Sequence, residues 1–313
     1  MWIVSPPACQ PLAIGVGEVL WDRLPGGDEI GGAPFNVVSH LARLGYRAAY
    51  LTAVGEDPPG DAAIGEMARR GIDVSLVGRV RGVNTGLARV TVGLSGSPAF
   101  EIRRPAAFEQ WGSRESVVDQ AIGLRPAVLV YGTLAQLAPS ARDGLRRMAE
   151  GSRASLRLYD VNLRDGWWSA DIVAELLQFA SVVKLSESEA QQLAPVLGVR
   201  PRRGAGAAAF CADLALRLGL RAVAVTAGPD AASLWLDGAF ASAVPPEAQV
   251  MDAVGAGDAF AAGLVDAIGG RLDVAAALRR ANALGTLVAS RRGAQPPWTP
   301  AELADLEARS PAG

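Results

Sequence analysis

From Ala127 onward, short apolar runs alternate with amphipathic helical stretches, and this alternation restricts the chain to few folds. Val128–Tyr131, Leu156–Tyr159, Ser181–Lys184 and Ala222–Thr226 read as strands. Ala141–Ala149, Ile172–Phe179, Glu187–Leu193 and Ala209–Leu218 read as the helices that follow or precede them. Leu12–Val16 and Ala48–Val54 are strands of the same kind, with helices from Val37 to Leu44 and through Ala63, Met67 and Arg70. Helices at 258–268, 273–289 and 300–308 close the chain. Repeated βα units with apolar strands bury both sheet faces, which predicts a three-layer α/β/α architecture around a mostly parallel sheet. In such sheets a ligand sits beyond the carboxyl ends of the strands.

Two segments depart from this pattern. Residues 18–33 carry Asp22 outward to a Pro25-Gly26-Gly27-Asp28 turn. Residues 84–105 alternate loosely through Thr85, Leu87, Arg89 and Thr91, turn at Ser95-Gly96-Ser97-Pro98, and return through Phe100 and Ile102. Together they predict a small antiparallel lid inserted into one domain spanning residues 1–313. The basic, Ala/Gly-rich stretch at 200–208 reads as a mobile, solvated loop.

Two glycine-rich loops each open a helix. Ile30-Gly31-Gly32-Ala33-Pro34-Phe35-Asn36 precedes a helical face of Val37, Leu41 and Leu44, stopped by Gly45. Asp252-Ala253-Val254-Gly255-Ala256-Gly257-Asp258 precedes Phe260, Leu264 and Ile268. A helix start presents unpaired N–H groups and partial positive charge, so it can hold an anion. A carboxylate beside such a hole, Asp258, could take a proton from an attacking hydroxyl. It could equally be a helix cap, with the glycines only turning the chain.

Composition excludes several chemistries. Net charge is −2, leaving no basic field for nucleic acid. His40 is the single histidine, so triad catalysis or a histidine-ligated metal would have to use it; with no partner motif nearby it reads as a half-buried structural residue. Lys184 is the single lysine and is followed by Leu-Ser-Glu, which rules out a Walker A loop. Gly15-x-Gly17 lacks the third glycine of a dinucleotide fingerprint. The two cysteines have neither zinc nor disulfide spacing, which suits a reducing cytoplasm. No secretory signal and no run long enough to span a membrane is read.

Taken in order, Gly17–Asp22, Gly31–Asn36, Val54-Gly55-Glu56-Asp57-Pro58, Asn84-Thr85-Gly86, Asp160-x-Asn162-Leu163-Arg164, Thr226-x-Gly228, Asp252–Phe260 and Ala281-Asn282-Ala283 resemble the ribokinase-like (PfkB) carbohydrate kinases over nearly the whole chain. Gly-Gly-Ala-Pro-x-Asn and Asp-x-Asn-Leu-Arg are similar to the fructokinase subgroup. The resemblance implies transfer of the γ-phosphoryl of ATP, with Mg2+, to a primary hydroxyl of a sugar. Ribose, 2-keto-3-deoxygluconate or a nucleoside are alternative substrates, and a catalytically silent binding protein is an alternative function.

The resemblance also implies roles. Asp258 would be the general base, and the backbone amides of Gly255, Ala256 and Gly257 would hold the transferring phosphoryl. Asp22, Gly32 and Asn36 would bind sugar hydroxyls, with Asn162 and Arg164 beside them. A turn residue, a helix cap and a surface salt bridge are the competing roles of Asp22, Asn36 and Arg164 respectively. Ser186, Thr226, Gly228 and Asn282 would lie along ATP. Glu189 would order Mg2+ indirectly, and Asp252 would adjoin a monovalent cation, K+. Ser186 replaces the family's usual asparagine, Ala231 a common glycine, and Pro297 a position where a hydroxyl sometimes helps. The lid could pair with that of a second copy.

Overall fold

The computed structural model describes residues 10–24, 27–92, 98–199 and 206–310. The N-terminal segment, the Pro25-Gly26 and Ser95-Gly96-Ser97 turns, and most of the 200–208 loop lie outside them. Along the chain run strands β1 (Leu12–Val16), β2 (Leu20–Leu24), β3 (Gly27–Gly31), β4 (Arg47–Gly55), β5 (Ile72–Asp73), β6 (Val77–Val80), β7 (Gly86–Val92), β8 (Pro98–Ile102), β9 (Val128–Tyr131), β10 (Leu156–Asp160), β11 (Val182–Ser186), β12 (Ala222–Thr226), β13 (Ala232–Leu236) and β14 (Ala239–Ala243). The helices are α1 (Ala33–Arg43), α2 (Pro58–Arg69), α3 (Glu115–Gly123), α4 (Pro139–Gly151), α5 (Ala170–Gln178), α6 (Glu187–Leu193), α7 (Gly206–Leu218), α8 (Ala256–Gly269), α9 (Val274–Ala289) and α10 (Pro300–Arg309), with two 3-10 turns at Ala107–Ser113 and Leu134–Leu137.

The main sheet runs β14-β13-β12-β11-β10-β9-β1-β4-β5, with β6 also on β4. Its pairs are parallel except for the hairpin edge β12-β13-β14. All five residues of β1 are buried, as expected of a strand covered on both faces. One covering layer packs Trp111, Leu145, Tyr131 and Tyr159; the other packs Phe35, Leu41, Phe260, Leu264 and Leu284 of α1, α8 and α9.

The strand order reverses at β1, which pairs with β4 on one side and the later β9 on the other. Val16 lies level with both Leu51 and Tyr131, so β1 and β9 end together while β4 runs on to Gly55. Loops leaving them must diverge there, which opens a crevice beyond Gly17, Asp160 and Ser186.

The lid is a four-stranded sheet, β3-β2-β7-β8. Its two hairpins are antiparallel, and they join through parallel pairing of β2 with β7, Leu20 opposite Gly86. Trp21 Nε1 donates to Pro59 O at 3.0 Å and ties the lid to the start of α2. Among the described residues no helix is long and apolar enough to cross a membrane.

Candidate active site

Two cavities open over the carboxyl ends of the strands and meet at Ala253 and Gly257. The first, about 500 Å³, is lined by Glu18, Asp22, Asn36, Arg164, Lys184 and Asp258 among others, with Leu20, Ala88 and Ile102 from the lid. The second, about 590 Å³, is lined mostly by apolar groups between β12, the 244–250 segment, α8 and α9.

The polar chamber is assembled from distant parts of the chain. Gly32 precedes α1 with φ +133, and a Cβ there would lie 2.3 Å from Glu18 O. Only glycine allows the loop to approach β1 this closely. Asn36 is the fourth residue of α1, not its cap. Its Nδ2 donates to Asp258 Oδ2 at 2.7 Å, so it joins α1 to α8 across the cleft. Asp22 projects from β2 with its Oδ2 against Gly31; burial raises its carboxyl to about 6 against the pull of Arg164.

Asn162 adopts φ +41 after β10, and its Oδ1 accepts from Arg164 Nη1 at 2.6 Å. Arg164 thereby turns inward. Its charge acts on Glu18, Asp22, Asp160 and Asp258, and it lines the chamber.

Gly255 begins α8 with φ +76, packed so closely on Ala294 that a Cβ would lie 2.5 Å from its Cα. The Ala256 N–H donates to Ala253 O at 3.3 Å. The expected anion-holding amide of Ala256 is thus already engaged, and the positive helix end faces the polar chamber through Gly255 and both chambers through Gly257. Asp258 stands in the first turn of α8. Burial, and then the nearby Asp160 carboxylate, raise its pKa to about 7; Lys184, the Asn36 hydrogen bond and Arg164 pull the other way. A carboxyl held near neutrality suits proton removal from an alcohol.

Lys184 comes from β11, and its Nζ donates to Asp160 Oδ1 at 3.1 Å. Lys184 is 7% exposed and Asp160 fully buried. Burial acts to discharge Lys184, but Asp160, Glu189 and Asp258 outweigh it and raise its pKa. A Cβ on Gly257 would lie 3.0 Å from Nζ, so the ammonium stands against Gly257. The second oxygen, Asp160 Oδ2, is buried without a hydrogen-bond partner.

Thr226, Gly228 and Asn282 line the apolar chamber together with Phe260, Pro245 and Thr286. Asn282 is buried, and its Nδ2 donates to Ala243 O at 3.1 Å. Ser186 and Glu189 line neither chamber. They form a capping box at the start of α6: Ser186 Oγ accepts from Glu189 N, and Glu189 Oε2 accepts from Ser186 N. Glu189 Oε1 also accepts from Leu163 N at 2.6 Å, fixing the loop that carries Arg164. Asp252 accepts from Val254 N and Gly293 N at 3.0 Å each, so it pins the 290s loop beside Gly255.

Four residues of the site were not singled out from sequence. Lys184 and Asp160 look like ordinary strand-end residues until β10 and β11 pair. Glu18 stood in the Gly17–Asp22 motif without a role. It is 4% exposed; Oε1 accepts from Ala33 N at 3.2 Å, while Oε2 has no partner. Burial raises its pKa to about 7 against several backbone hydrogen bonds and Arg164. Gln295 carries no motif signal at all, yet its Nε2 donates to Asn36 Oδ1 at 2.6 Å.

The polar and apolar chambers of this parallel α/β/α fold thus meet at the start of α8. Residues 27–301 match the pfkB family carbohydrate kinase model, and the chain belongs to that family. It is 28% identical to Fructokinase-1 of Oryza sativa subsp. japonica, over 91% of this chain and 94% of that protein. It is likewise 28% identical to Fructokinase-1 of Zea mays, over 96% and 98%. The crystal structure of fructokinase with bound ATP from Xylella fastidiosa superposes with a TM-score of 0.77 at 24% identity, covering 95% of this chain and 97% of that one. A putative ribokinase II from E. coli in complex with ATP and Mg2+ gives 0.79 at 22% identity, covering 96% and 100%.

Proposed function

We propose that the protein transfers the γ-phosphoryl of ATP to the primary hydroxyl of a neutral sugar, with fructose the first candidate. The observation that carries this reading is the position of Asp258, in the polar chamber next to Gly257 where the chambers meet, beside the helix start and hydrogen-bonded by Asn36. ATP would occupy the apolar chamber, its base against Thr226, Gly228 and Asn282 and its phosphates directed to Gly257. The sugar would occupy the polar chamber, with hydroxyls on Asp22, Asn36, Gly32, Asn162 and Arg164. Four carboxyl groups, Glu18, Asp22, Asp252 and Asp258, line it with the Arg164 and Lys184 charges. That balance favours a neutral polyol over a sugar acid, and the plant fructokinase relatives support the same choice.

In the reaction the sugar oxygen attacks the γ-phosphorus as its proton passes to Asp258. The bond from that phosphorus to the β–γ bridging oxygen breaks, and ADP leaves with the electron pair. The amides of Gly255 and Gly257 and the Lys184 ammonium face the charge on the phosphoryl group. Lys184 thus takes the place of the Walker lysine the sequence lacks. Among the described residues no cluster of three His, Cys, Asp or Glu could hold a metal. A Mg2+ would be held chiefly by phosphates and water; Glu189, whose two oxygens already accept from Leu163 N and Ser186 N, would order it only indirectly, through the loop it fixes. When bound, Mg2+ would neutralise charge on the phosphates. K+ beside Asp252 would bind through loop carbonyls, and activity in K+ against choline tests it.

A coupled ADP-release assay across fructose, ribose, 2-keto-3-deoxygluconate and nucleosides tests the reading. Fructose should give the highest kcat/KM. No turnover with any of them would overturn it.

A further inference from the structure

Asn36 carries the only polar side chain shown hydrogen-bonded to Asp258 among the described residues, and it has one donor end and one acceptor end. An ionised Asp258 accepts only, so the amide must face it with Nδ2. If the amide turned over, Oδ1 would meet the carboxylate and repel it. Nothing in Asn36 itself decides between these two orientations.

The decision comes from a loop remote in sequence. Gln295 Nε2 donates to Asn36 Oδ1 at 2.6 Å, and Asn36 Nδ2 then donates to Asp258 Oδ2 at 2.7 Å. A primary amide nitrogen cannot accept, so Gln295 holds Asn36 in the orientation the base requires.

The loop is in turn keyed to α1. Asn36 and His40 are four residues apart on one helix face, and Arg43 lies one turn further. His40 Nδ1 accepts from Trp298 Nε1 at 3.2 Å, which leaves Nε2 protonated to donate to Ala294 O at 3.0 Å. Arg43 Nη1 donates to Pro296 O at 2.5 Å and lies over the Trp298 ring. Burial lowers the His40 pKa to about 4, so the neutral tautomer persists across ordinary pH. The stripe 36–40–43 therefore holds Ala294, Gln295, Pro296 and Trp298 of this loop. Ala294, the residue before Gln295, also covers Gly255.

We infer that Gln295 is a positioning residue for phosphoryl transfer: it orients Asn36 so that one oxygen of Asp258 is tied and the other is left to take the sugar proton. The inference rests on the reading of Asp258 as the base. Its test therefore includes a measurement made without substrate.

Gln295→Met keeps the length of the side chain and removes both polar groups. Its kcat with the best sugar should fall about tenfold, the scale of one hydrogen bond to a charged group, with KM for ATP unchanged within twofold. Gln295→Glu presents acceptors to Asn36 and favours the turned-over amide, so its loss should exceed that of Gln295→Met. The Asp258 carboxyl, followed by carbon NMR in ligand-free protein, should titrate at higher pH in Gln295→Met than in wild type, because the Asn36 bond lowers its pKa. Asp160, Lys184 and Arg164, the charged groups facing Asp258, are the same in both proteins. An unchanged Asp258 titration, or a Gln295→Glu enzyme as active as Gln295→Met, would overturn the inference. Absence of sugar-kinase activity in the wild type would overturn the functional reading and leave the titration to decide the role of Gln295.

Discussion

The two chambers are built on opposite principles. The polar one draws Glu18, Asp22, Asn36, Arg164, Lys184 and Asp258 from six separate places in the sequence and closes them with a lid. The apolar one comes almost wholly from residues 226–289 and is shaped by Val244, Pro245, Pro246, Val250 and Phe260. Charges that interact strongly need fixed geometry, so the polar chamber is braced by hydrogen bonds: Asn36 to Asp258, Gln295 to Asn36, Lys184 to Asp160. Apolar contact is non-directional, and a chamber lined that way can be formed by local chain packing. Selectivity and chemistry should therefore respond to single polar substitutions on one side, whereas the other should respond through nucleotide affinity alone.

Asp258 lines the polar chamber next to Gly257, where the two chambers meet, and should show the largest effect. Asp258→Asn keeps the shape and the Asn36 neighbour but removes the base, which is worth about 10²–10⁴-fold in kcat. ATP binding, measured by calorimetry, should be little changed. A variant retaining more than a tenth of wild-type kcat would break the comparison at its centre. The raised pKa of Asp258 adds a pH signature. The base works ionised, so wild-type kcat should rise with pH up to about 7 and then level off.

Lys184 comes next. Removing one preorganised donor from an oxyanion site costs about 10²–10³-fold in kcat. Lys184→Met alone leaves Asp160 buried without its partner, which also destabilises the fold. The double variant Lys184→Met, Asp160→Leu removes both charges and should recover the melting temperature but not the activity. If activity returned with stability, Lys184 would be a structural ion-pair member only.

How much of this contrast could be read from sequence differs between the chambers. Thr226-x-Gly228 and Ala281-Asn282-Ala283 lie in strongly patterned segments, and three of the four residues expected along ATP, Thr226, Gly228 and Asn282, line one cavity, whereas Ser186 does not. The βα alternation likewise places β9 to β12 and α8 to α10 within a few residues of where they occur. Lys184 and Gln295 were not legible as site residues, for different physical reasons. Lys184 enters the site through the parallel pairing of β11 with β10, which sets it level with Asp160, and pairing of distant strands leaves no local trace. Gln295 acts through a contact across 259 positions. The helix α3 and the two-residue strand β5 carry too weak a periodicity to be seen. Ser186 was expected along ATP; its hydroxyl instead caps α6, a role that Ser fills as well as Asn.

Glu18 sharpens the polar side further, on stability. Its pKa is about 7 in the fold against an ordinary 4.5, because burial disfavours the charge. The folded protein therefore holds this proton between those values while the unfolded chain has released it. Stability from this group is complete below pH 4.5 and is lost as pH rises through about 7, on the order of 3 kcal/mol in all. Glu18→Gln keeps an acceptor for Ala33 N and carries no charge at any pH. It should raise the melting temperature at pH 8 and leave it nearly unchanged at pH 4.5. An equal change at both would show that Glu18 is ionised in the fold.

The smallest effect is expected in the apolar chamber, at Asn282. Its side chain is 3% exposed and donates to Ala243 O, joining α9 to β14 at the wall of the apolar cavity. Asn282→Ala leaves that carbonyl without this partner, which costs roughly 1–3 kcal/mol of stability for a buried group. The wall itself is apolar and remains, so KM for ATP should rise only a few-fold, with kcat and the sugar KM unchanged. Steady-state kinetics with each substrate varied separately measures both. A large fall in kcat would mean that Asn282 reaches the reacting phosphates, and that the apolar chamber, like the polar one, is organised by directed hydrogen bonds.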